Sequence, residues 1–128
     1  IRSVTASPCH GILLPKQGTT AISPLVIKAS AGTLFKSTLI HCESLEEALP
    51  KLTIQGATCC TLSSHSKQSL SELKVESPIV YVLGNESGGV SRKVNDLCTS
   101  QVCIPMNNGV ESLNVAVTAA LLAFHHQL

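Results

Sequence analysis

The sequence contains very few aromatic residues, with no Trp, one Tyr and two Phe among 128 residues. Its hydrophobic fraction is nevertheless 44%, which is typical of a folded globular chain and unlike a disordered or fibrous one. A chain of this length can bury a substantial core within a single domain. We therefore expect one domain over residues 1–128, with a core built from Leu, Ile, Val and Ala side chains.

A concentration of positive charge is also missing. The formal net charge is +1, and no more than two basic residues are adjacent, as at Arg92 and Lys93. Proteins that bind nucleic acid usually present a basic face. If this chain binds RNA, we expect most of the affinity to come from a further domain or from a patch assembled by dimerisation.

The six cysteines form no C-x-x-C pair and no cysteine-histidine set with zinc-finger spacing. Most lie in apolar runs, where a thiol behaves as a small hydrophobic side chain. We therefore predict reduced thiols, no metal site and a cytoplasmic protein, with an organellar address left open. The longest apolar stretch, Val115–Phe124, is too short to cross a bilayer, so we expect no membrane association.

Short β-type runs alternate with helical segments along the chain. The predicted strands are Gly11–Pro15, Ser37–Cys42, Ala57–Leu62, Pro78–Leu83 and Gln101–Pro105. The predicted helices are Ser23–Gly32, a helix from the capping box at Ser44 to near Gly56, a brief helix opened by a second capping box at Ser69, Val90–Cys98 and Ser112–Gln127. The continuous apolar run Pro78–Leu83 indicates a strand buried on both faces. This alternation predicts an α/β fold with a mainly parallel sheet flanked by helices.

The first loop of interest follows the apolar run at Pro78–Leu83, and ligands of open α/β sheets bind beyond the carboxyl ends of strands. Its sequence is Leu83-Gly84-Asn85-Glu86-Ser87-Gly88-Gly89. The three glycines permit positive φ angles and a close approach of a ligand to the backbone. The loop has neither the lysine of a phosphate-binding loop nor the spacing of the dinucleotide-binding fingerprint. An ordinary glycine-rich turn is the alternative interpretation.

The second loop of interest, Ile104–Asn114, begins where a strand ends in Pro105 and leads to Ser112 at the predicted start of a helix. An N-cap role alone would explain Ser112. Asn114 is a poor helix former in the first turn of a very apolar helix, so its amide should have a partner.

These loops resemble the second and third motifs of the SpoU-type (TrmH-like) RNA 2′-O-ribose methyltransferases of the SPOUT superfamily. The matching segments are Leu83-Gly84-Asn85-Glu86 with Gly89, Ile104-Pro105-Met106, and Ser112-Leu113-Asn114-Val115. Ile1-Arg2-Ser3 and His10–Pro15 are similar to the end of the first motif and the strand after it, and Lys28–Gly32 to a further family segment. The resemblance covers the whole chain. Because the family's asparagine upstream of Arg2 has no counterpart, we expect an N-terminally truncated domain.

The resemblance implies a deep C-terminal trefoil knot, a homodimer and S-adenosylmethionine as the methyl donor. The cofactor contacts it implies are Thr61, Leu62, Leu83, Gly84, Asn85, Gly89, Ile104, Pro105, Met106, Ser112 and Leu113. The catalytic residues it implies are Arg2, Glu86, Ser112 and Asn114. We expect Arg2 to position the attacking hydroxyl and a substrate phosphate, because a guanidinium is a demanding base. Glu86 would orient Arg2 or the loop, while Ser112 and Asn114 would hold the substrate and the motif.

The function that the resemblance implies is transfer of a methyl group to a ribose 2′-hydroxyl of rRNA or tRNA. Two alternatives stay open from the sequence. One is a catalytically incomplete S-adenosylmethionine- or RNA-binding module of the same fold, and the other is an unrelated α/β nucleotide enzyme. Departures from the family pattern occur at Ser87, where glycine is common, and at Asn108-Gly109, where the motif glycine falls one position later.

Overall fold

A computed structural model describes residues 1–18, 21–85 and 87–127 of the chain. The helices are α1 (Arg2–Thr5), α2 (Pro24–Ala29), α3 (Leu45–Ile54), α4 (Arg92–Asp96) and α5 (Val115–Phe124). The strands are β1 (Ile12–Pro15), β2 (Leu39–Cys42), β3 (Thr58–Leu62), β4 (Ile79–Val82) and β5 (Ser100–Val102). Short 3₁₀ helices lie at Thr33–Lys36 and Leu70–Glu72. The order of elements and the parallel pairing of all named strands confirm the predicted α/β class.

The contacts divide the chain into two compact units. Unit 1 is drawn from Ile1–Ser44 and Ala119–Leu128, and unit 2 is Leu45–Thr118. The assignment of residues 1–128 to one domain therefore stays a prediction, as does the trefoil knot.

Unit 1 contains a parallel pair of strands, in which Ile12 lies opposite Leu39 and Pro15 opposite Cys42. Helix α1 packs against the 3₁₀ helix at Thr33–Lys36. The hydroxyl groups of Thr5 and Ser37 join these two elements through a hydrogen bond of 2.5 Å. This contact fixes the end of α1 beside the chain that leads into β2.

Helix α2 of unit 1 begins as its sequence indicates but ends early. Pro24 occupies its first turn, where the fixed φ of proline favours the helix and the missing N–H costs nothing. The helix ends at Ala29, before the predicted stop at Gly32, because Ala31 takes the left-handed conformation that stops a helix, with a φ of +50°.

Unit 2 contains a three-stranded parallel sheet in the order β4-β3-β5. Its core includes Leu49 of α3, Cys59 of β3, Val82 of β4 and Val94 of α4, each at most 6% exposed. Burial of aliphatic side chains of this kind stabilises a fold by about 1.5–3 kcal/mol each. The helices α3 and α4 thus pack against strands β3 and β4 of the sheet.

Strand β4 does not lie where its apolar sequence suggested. The prediction that it is buried on both faces was wrong, because β4 is at an edge of the described sheet and only Val82 is fully buried. Strand β3 is the central strand, and its residues Cys59, Cys60 and Thr61 are at most 1% exposed. The apolar character of a run therefore fixes neither the burial of a strand nor its place in the sheet.

Local hydrogen bonds shorten two elements at the C-terminal side of unit 2. Helix α4 begins after Ser91, whose Oγ accepts from the N–H of Val94 at 3.3 Å, so the predicted start at Val90 is too early. Strand β5 ends at Val102 and not at Pro105, because Cys103 leaves the sheet and bridges to Ser69.

Helix α5 begins at Val115, three residues after the predicted start at Ser112. The side-chain Oδ1 of Asn114 accepts a hydrogen bond from the N–H of Ala116 at 2.8 Å, which makes Asn114 the N-cap. The prediction of a helix start at Ser112 was therefore wrong. The apolar start of this helix is not buried, because Val115 and Val117 are 37% and 49% exposed.

All six cysteines are free thiols, as predicted. Within the described ranges, no group of three His, Cys, Asp or Glu side chains is arranged to hold a metal ion. Among the helices of those same ranges, none has the length and apolar character that crossing a bilayer requires.

Candidate functional site at the carboxyl edge of the unit 2 sheet

The three strands of unit 2 end at one edge of their sheet. Thr61 of β3 lies opposite Val82 of β4, and Leu62 lies opposite Val102 of β5. Because the strands are parallel, the loops after β3, β4 and β5 all leave from their carboxyl ends, where ligands of α/β proteins bind. The predicted segments Leu83–Gly89 and Ile104–Asn114 are therefore brought to the same edge.

The glycine-rich loop after β4 is closed by its own hydrogen bonds. The N–H of Gly89 donates to the carbonyl of Asn85 at 3.0 Å, and the N–H of Asn85 donates to the carbonyl of Gly89 at 3.3 Å. The side-chain Oδ1 of Asn85 also accepts from the N–H of Gly88 at 2.6 Å. Asn85 thus uses its oxygen to hold the turn, which leaves its amide NH₂ as the group that a ligand could accept from.

Gly84 is required by the tight approach of this turn to its own start. A Cβ added at Gly84 would overlap the backbone of Gly89 and of Val90. A backbone neighbour cannot yield as a flexible side chain can, so another residue at position 84 would open the turn. Gly89 has a φ of +63°, which also favours glycine.

The loop after β5 offers backbone groups that have no partner. The N–H and C=O groups of Ile104, Met106 and Leu113 make no hydrogen bond to any residue in the described ranges. The side chains of Leu83 and Leu113 are each 37% exposed, so apolar surface lies on both loops. Unpaired backbone groups beside apolar side chains are the features that a planar heterocycle would use.

Ser112 and Asn114 have different surroundings from those predicted. Both side chains are exposed, and Ser112 makes no hydrogen bond to a described residue. Asn114 caps α5 through its oxygen, and its backbone carbonyl accepts from the N–H of Thr118 at 3.0 Å. The partner that the Asn114 amide was expected to have is therefore the first turn of α5.

A buried polar network lies beneath these loops, and the sequence did not indicate it. The hydroxyl of Thr61, which is 1% exposed, donates to Oδ1 of Asn95 at 2.9 Å. The side-chain NH₂ of Gln101 donates to the same Oδ1 at 3.2 Å. Thr61 was expected to contact the cofactor, but its side chain is committed to Asn95 and its backbone lies in the central strand between Val82 and Gln101.

The loop after β3 is fastened to the end of β5 by several hydrogen bonds. The N–H of Ser63 donates to the carbonyl of Val102 at 2.9 Å, and the hydroxyl of Ser66 donates to the carbonyl of Gln101 at 2.8 Å. Cys103 then exchanges two bonds of 2.8 Å with the segment Gln68–Leu70. The polar segment 63–70 is thus an ordered neighbour of Ile104.

The two remaining expected catalytic residues are Arg2 and Glu86. Arg2 lies on α1 of unit 1 with an exposed side chain, whereas the cofactor loops belong to unit 2. Glu86 lies outside the described residues, so its expected orienting role stays a prediction.

Two thiols of unit 2, the buried Cys60 and the half-buried Cys98, have raised pKa values. Removal from water raises the pKa of Cys98 to about 11, and the neighbouring thiols Cys59 and Cys60 add to this effect. Burial likewise raises the pKa of Cys60. A protonated thiol is a poor nucleophile and a poor metal ligand, so these cysteines have a packing role.

The chain is an α/β protein in which a glycine turn and a loop of unpaired backbone groups leave the same edge of a parallel sheet. The model of the SpoU rRNA methylase family matches residues 1–124. The chain belongs to this family, which confirms the resemblance inferred from its motifs.

Comparison with individual proteins agrees with this assignment. An uncharacterized tRNA/rRNA methyltransferase of Mycobacterium leprae is 32% identical over 122 residues, which are 95% of this chain and 40% of that protein. The crystal structure of an RNA 2′-O ribose methyltransferase matches with a TM-score of 0.85 and 27% identity, over 98% of this chain and 48% of the other. The chain therefore spans about half of such relatives or less.

A third comparison is with the SpoU methyltransferase AviRb from Streptomyces viridochromogenes in complex with the cofactor AdoMet. The TM-score is 0.84 over 96% of this chain and 48% of that one, at 24% identity. This likeness shows a shared fold.

Proposed function

We propose that the chain transfers a methyl group from S-adenosylmethionine to a ribose 2′-hydroxyl of rRNA or tRNA. The observation that carries the proposal is the pairing of a closed glycine turn, Asn85–Gly89, with unpaired backbone groups at Ile104, Met106 and Leu113 on the same sheet edge. Family membership and the solved 2′-O ribose methyltransferase with the same fold support it.

The residues at this edge fit S-adenosylmethionine. Gly84 lets the turn close tightly on its own backbone, which sets the shape of this edge, and the backbone groups of Ile104, Met106 and Leu113 can bind an adenine ring. The structure of AviRb with AdoMet supports this choice of cofactor. When bound, the sulfonium supplies an activated methyl group.

The protein's own contribution to such a reaction is alignment and proton handling. Holding a hydroxyl in line with a methyl group can lower a barrier by roughly 7–11 kcal/mol. We assign the alignment of the ribose hydroxyl and its adjacent phosphate to Arg2, whose side chain is exposed and carries no ion pair with a described residue. Glu86 is assigned to orient the arginine or the loop, and Ser112 and Asn114 to hold the substrate beside the cofactor.

A direct assay separates this proposal from its alternatives. The chain is incubated with labelled S-adenosylmethionine and bulk tRNA or rRNA, and the product is digested to nucleosides. We expect label in 2′-O-methylated nucleosides, with Glu86→Ala and Asn114→Ala each lowering turnover much more than stability. Cofactor binding without transfer would support a binding module. Binding of NAD or ATP in place of S-adenosylmethionine would indicate an unrelated nucleotide enzyme.

We also propose that the chain forms a homodimer through the first half of α5. Val115 and Val117 are 37% and 49% exposed on this helix, and Leu113 just before it is 37% exposed. Exposed apolar residues in succession are typical of interaction surfaces. Light scattering should report a dimer for the parent chain and a monomer for Val117→Asp. Ile54→Asp, at an 85% exposed apolar position on α3, is the control that should leave the mass unchanged.

A further inference from the structure

The low net charge of the chain conceals a difference between its two units. Unit 1 contains four Lys or Arg and one Glu, which gives a formal charge of +3, whereas unit 2 contains five Lys or Arg and seven Asp or Glu, which gives −2. Four of the five histidines also belong to unit 1. Charge separated in this way is typical of a protein that binds a polyanion with one of its parts.

The cations of unit 1 are largely available to a ligand. Glu43, the only acidic residue of the unit, is paired with Lys16. Arg2, Lys28 and Lys36 make no ion pair with any residue that the structure describes. Three cationic side chains are thus left without a counter-charge inside the unit.

One of these cations lines a pocket at the amino-terminal ends of β1 and β2. The pocket has a volume of about 60 Å³, and its walls include Lys36, His10, Thr5, Ser37 and Thr38 but no carboxylate. A single water needs about 10–15 Å³ measured in this way, so the space can hold a small anion.

Backbone donors line the same pocket. The N–H groups of His10, Gly11 and Thr38 donate to no residue in the described ranges, because they precede the first ladder bonds of the two parallel strands. Gly11 lets the strands approach closely, since a Cβ there would lie 2.9 Å from the carbonyl oxygen of Thr38. Residues with unpaired backbone N–H groups and a lysine thus line the pocket, and both kinds of donor are used to bind phosphate.

The wall of the pocket is rigid. The hydroxyl oxygens of Thr5 and Ser37 each lie 2.9 Å from a carbonyl oxygen, those of Ile1 and Thr33, so each of the two protons has an acceptor within the wall. The two hydroxyl oxygens also contact each other at 2.5 Å. Their protons are therefore committed, and the binding of an anion depends on the backbone amides and on Lys36.

We propose that this pocket binds a phosphate group of the RNA substrate, an inference that rests on the proposed function for the identity of its ligand. Backbone N–H groups and lysines are the usual partners of nucleic-acid phosphates, and such contacts set the position of the substrate without reading its sequence. The pocket lies in unit 1 and is distinct from the cofactor loops of unit 2.

The first test compares Lys36→Gln with Lys51→Gln, an exposed lysine of unit 2, in binding to bulk tRNA over a range of salt concentrations. Lys36→Gln removes one phosphate contact and should therefore weaken RNA binding several-fold at low salt. In this variant the slope of the logarithm of the association constant against the logarithm of salt concentration should be smaller in magnitude by about 0.7–1. Lys51→Gln should match the parent chain, and neither change should alter S-adenosylmethionine binding. If the parent chain binds RNA and the two variants behave alike, the pocket proposal is overturned while the proposed function stands.

The second test uses inorganic phosphate as the probe and records the amide resonances of His10, Gly11 and Thr38. Saturable shifts in the parent chain that are lost in Lys36→Gln support the pocket. The absence of such shifts overturns the proposal, whether or not methyl transfer is observed. Shifts with phosphate but unchanged RNA affinity in Lys36→Gln would mean a site for free phosphate, which overturns the assignment to RNA. An RNA that is neither bound nor methylated by the parent chain would count against the proposed function.

Discussion

The hydroxyl of Thr61 donates a 2.9 Å hydrogen bond to Oδ1 of Asn95 in a position where Thr61 is 1% exposed. The same oxygen accepts from Gln101, so one amide joins the ends of β3, α4 and β5. These three elements carry the loops of the candidate site. The bond therefore links the stability of unit 2 to the arrangement of its ligand-binding edge.

Asn95→Ala should destabilise the protein because it leaves the buried Thr61 hydroxyl without an acceptor. The cost of such an unsatisfied group is about 1–3 kcal/mol. Urea unfolding measures this loss of free energy, and Asn107→Ala, at an exposed position of the loop after β5, is the matched control with little expected effect.

The Thr61→Val change should lower the free energy of unfolding less in the Asn95→Leu background than in the parent chain, because residues 61 and 95 are then both apolar. Equal costs in the two backgrounds would mean that the two side chains are not coupled.

Gly84→Ala should abolish or strongly weaken S-adenosylmethionine binding, because its Cβ would overlap the backbone of Gly89 and Val90. We expect at least about a tenfold loss of affinity, equivalent to about 1.4 kcal/mol, in a calorimetric titration. Gly56→Ala is the control, because Gly56 has a φ of +92° but no atom within 4 Å of the added Cβ. It should lower stability and leave cofactor affinity unchanged. Normal binding by Gly84→Ala would mean that this turn is not part of the cofactor site.

Asn114→Ala and Asn114→Asp separate two roles of one residue. Asn114 caps α5 through Oδ1, so the alanine change should lower the free energy of unfolding by about 0.5–2 kcal/mol in addition to its effect on turnover. Aspartate retains the capping oxygen but lacks the NH₂ group, so Asn114→Asp should keep most of the stability and still lose methyl transfer. Full activity of Asn114→Asp would mean that Asn114 serves only as the N-cap of α5.

The cysteines should differ sharply in reactivity. At pH 8 iodoacetamide should modify the exposed Cys9 first, whereas Cys98, with a pKa of about 11, should stay protonated and unmodified until the protein unfolds. Mass spectrometry of samples taken at successive times gives the order in which the cysteines are modified, and a sample unfolded in urea is the control. Rapid labelling of Cys98 in the folded protein would contradict its raised pKa.

The same thiol gives a dependence of stability on pH. The pKa of Cys98 is about 11 in the folded protein and near its ordinary value of 9.0 when unfolded, so the unfolded state loses its proton first. The free energy of unfolding should be unaffected by this group below pH 9 and should fall as pH rises from 9 towards 11. Cys98→Ser should reduce that decline.

The order of strands and helices could be predicted because local patterns determine it. Pro24 marks the start of α2, and the capping box Ser69–Glu72 forms as expected at the start of a 3₁₀ helix. The predicted start of each helix was less accurate, because it depends on which side chain caps the helix. Asn114 and Ser91 take that role at α5 and α4, and each shortens its helix relative to the hydrophobic pattern.

Tertiary relations could not be predicted in the same way. The apolar run of β4 gave no sign that β3 would be the central strand, since the order of strands depends on partners that are distant in the sequence. The burial of Thr61 against Asn95 was equally invisible, because a threonine in a β run is ordinary. The net charge of +1 was misleading as well, because it averages two units of opposite sign.

The fastening of segment 63–70 to β5 has a thermodynamic consequence. Ordering a flexible residue costs about 1–2 kcal/mol of conformational entropy, and a loop that becomes ordered only around its ligand subtracts this cost from the affinity. Here the segment is already ordered when the protein folds, through the hydrogen bonds of Ser63, Ser66, Leu70 and Cys103. A ligand at this edge would therefore encounter a wall of the site that is already in place, and amides such as those of Cys103 and Leu70 should exchange with solvent deuterium slowly both before and after it binds.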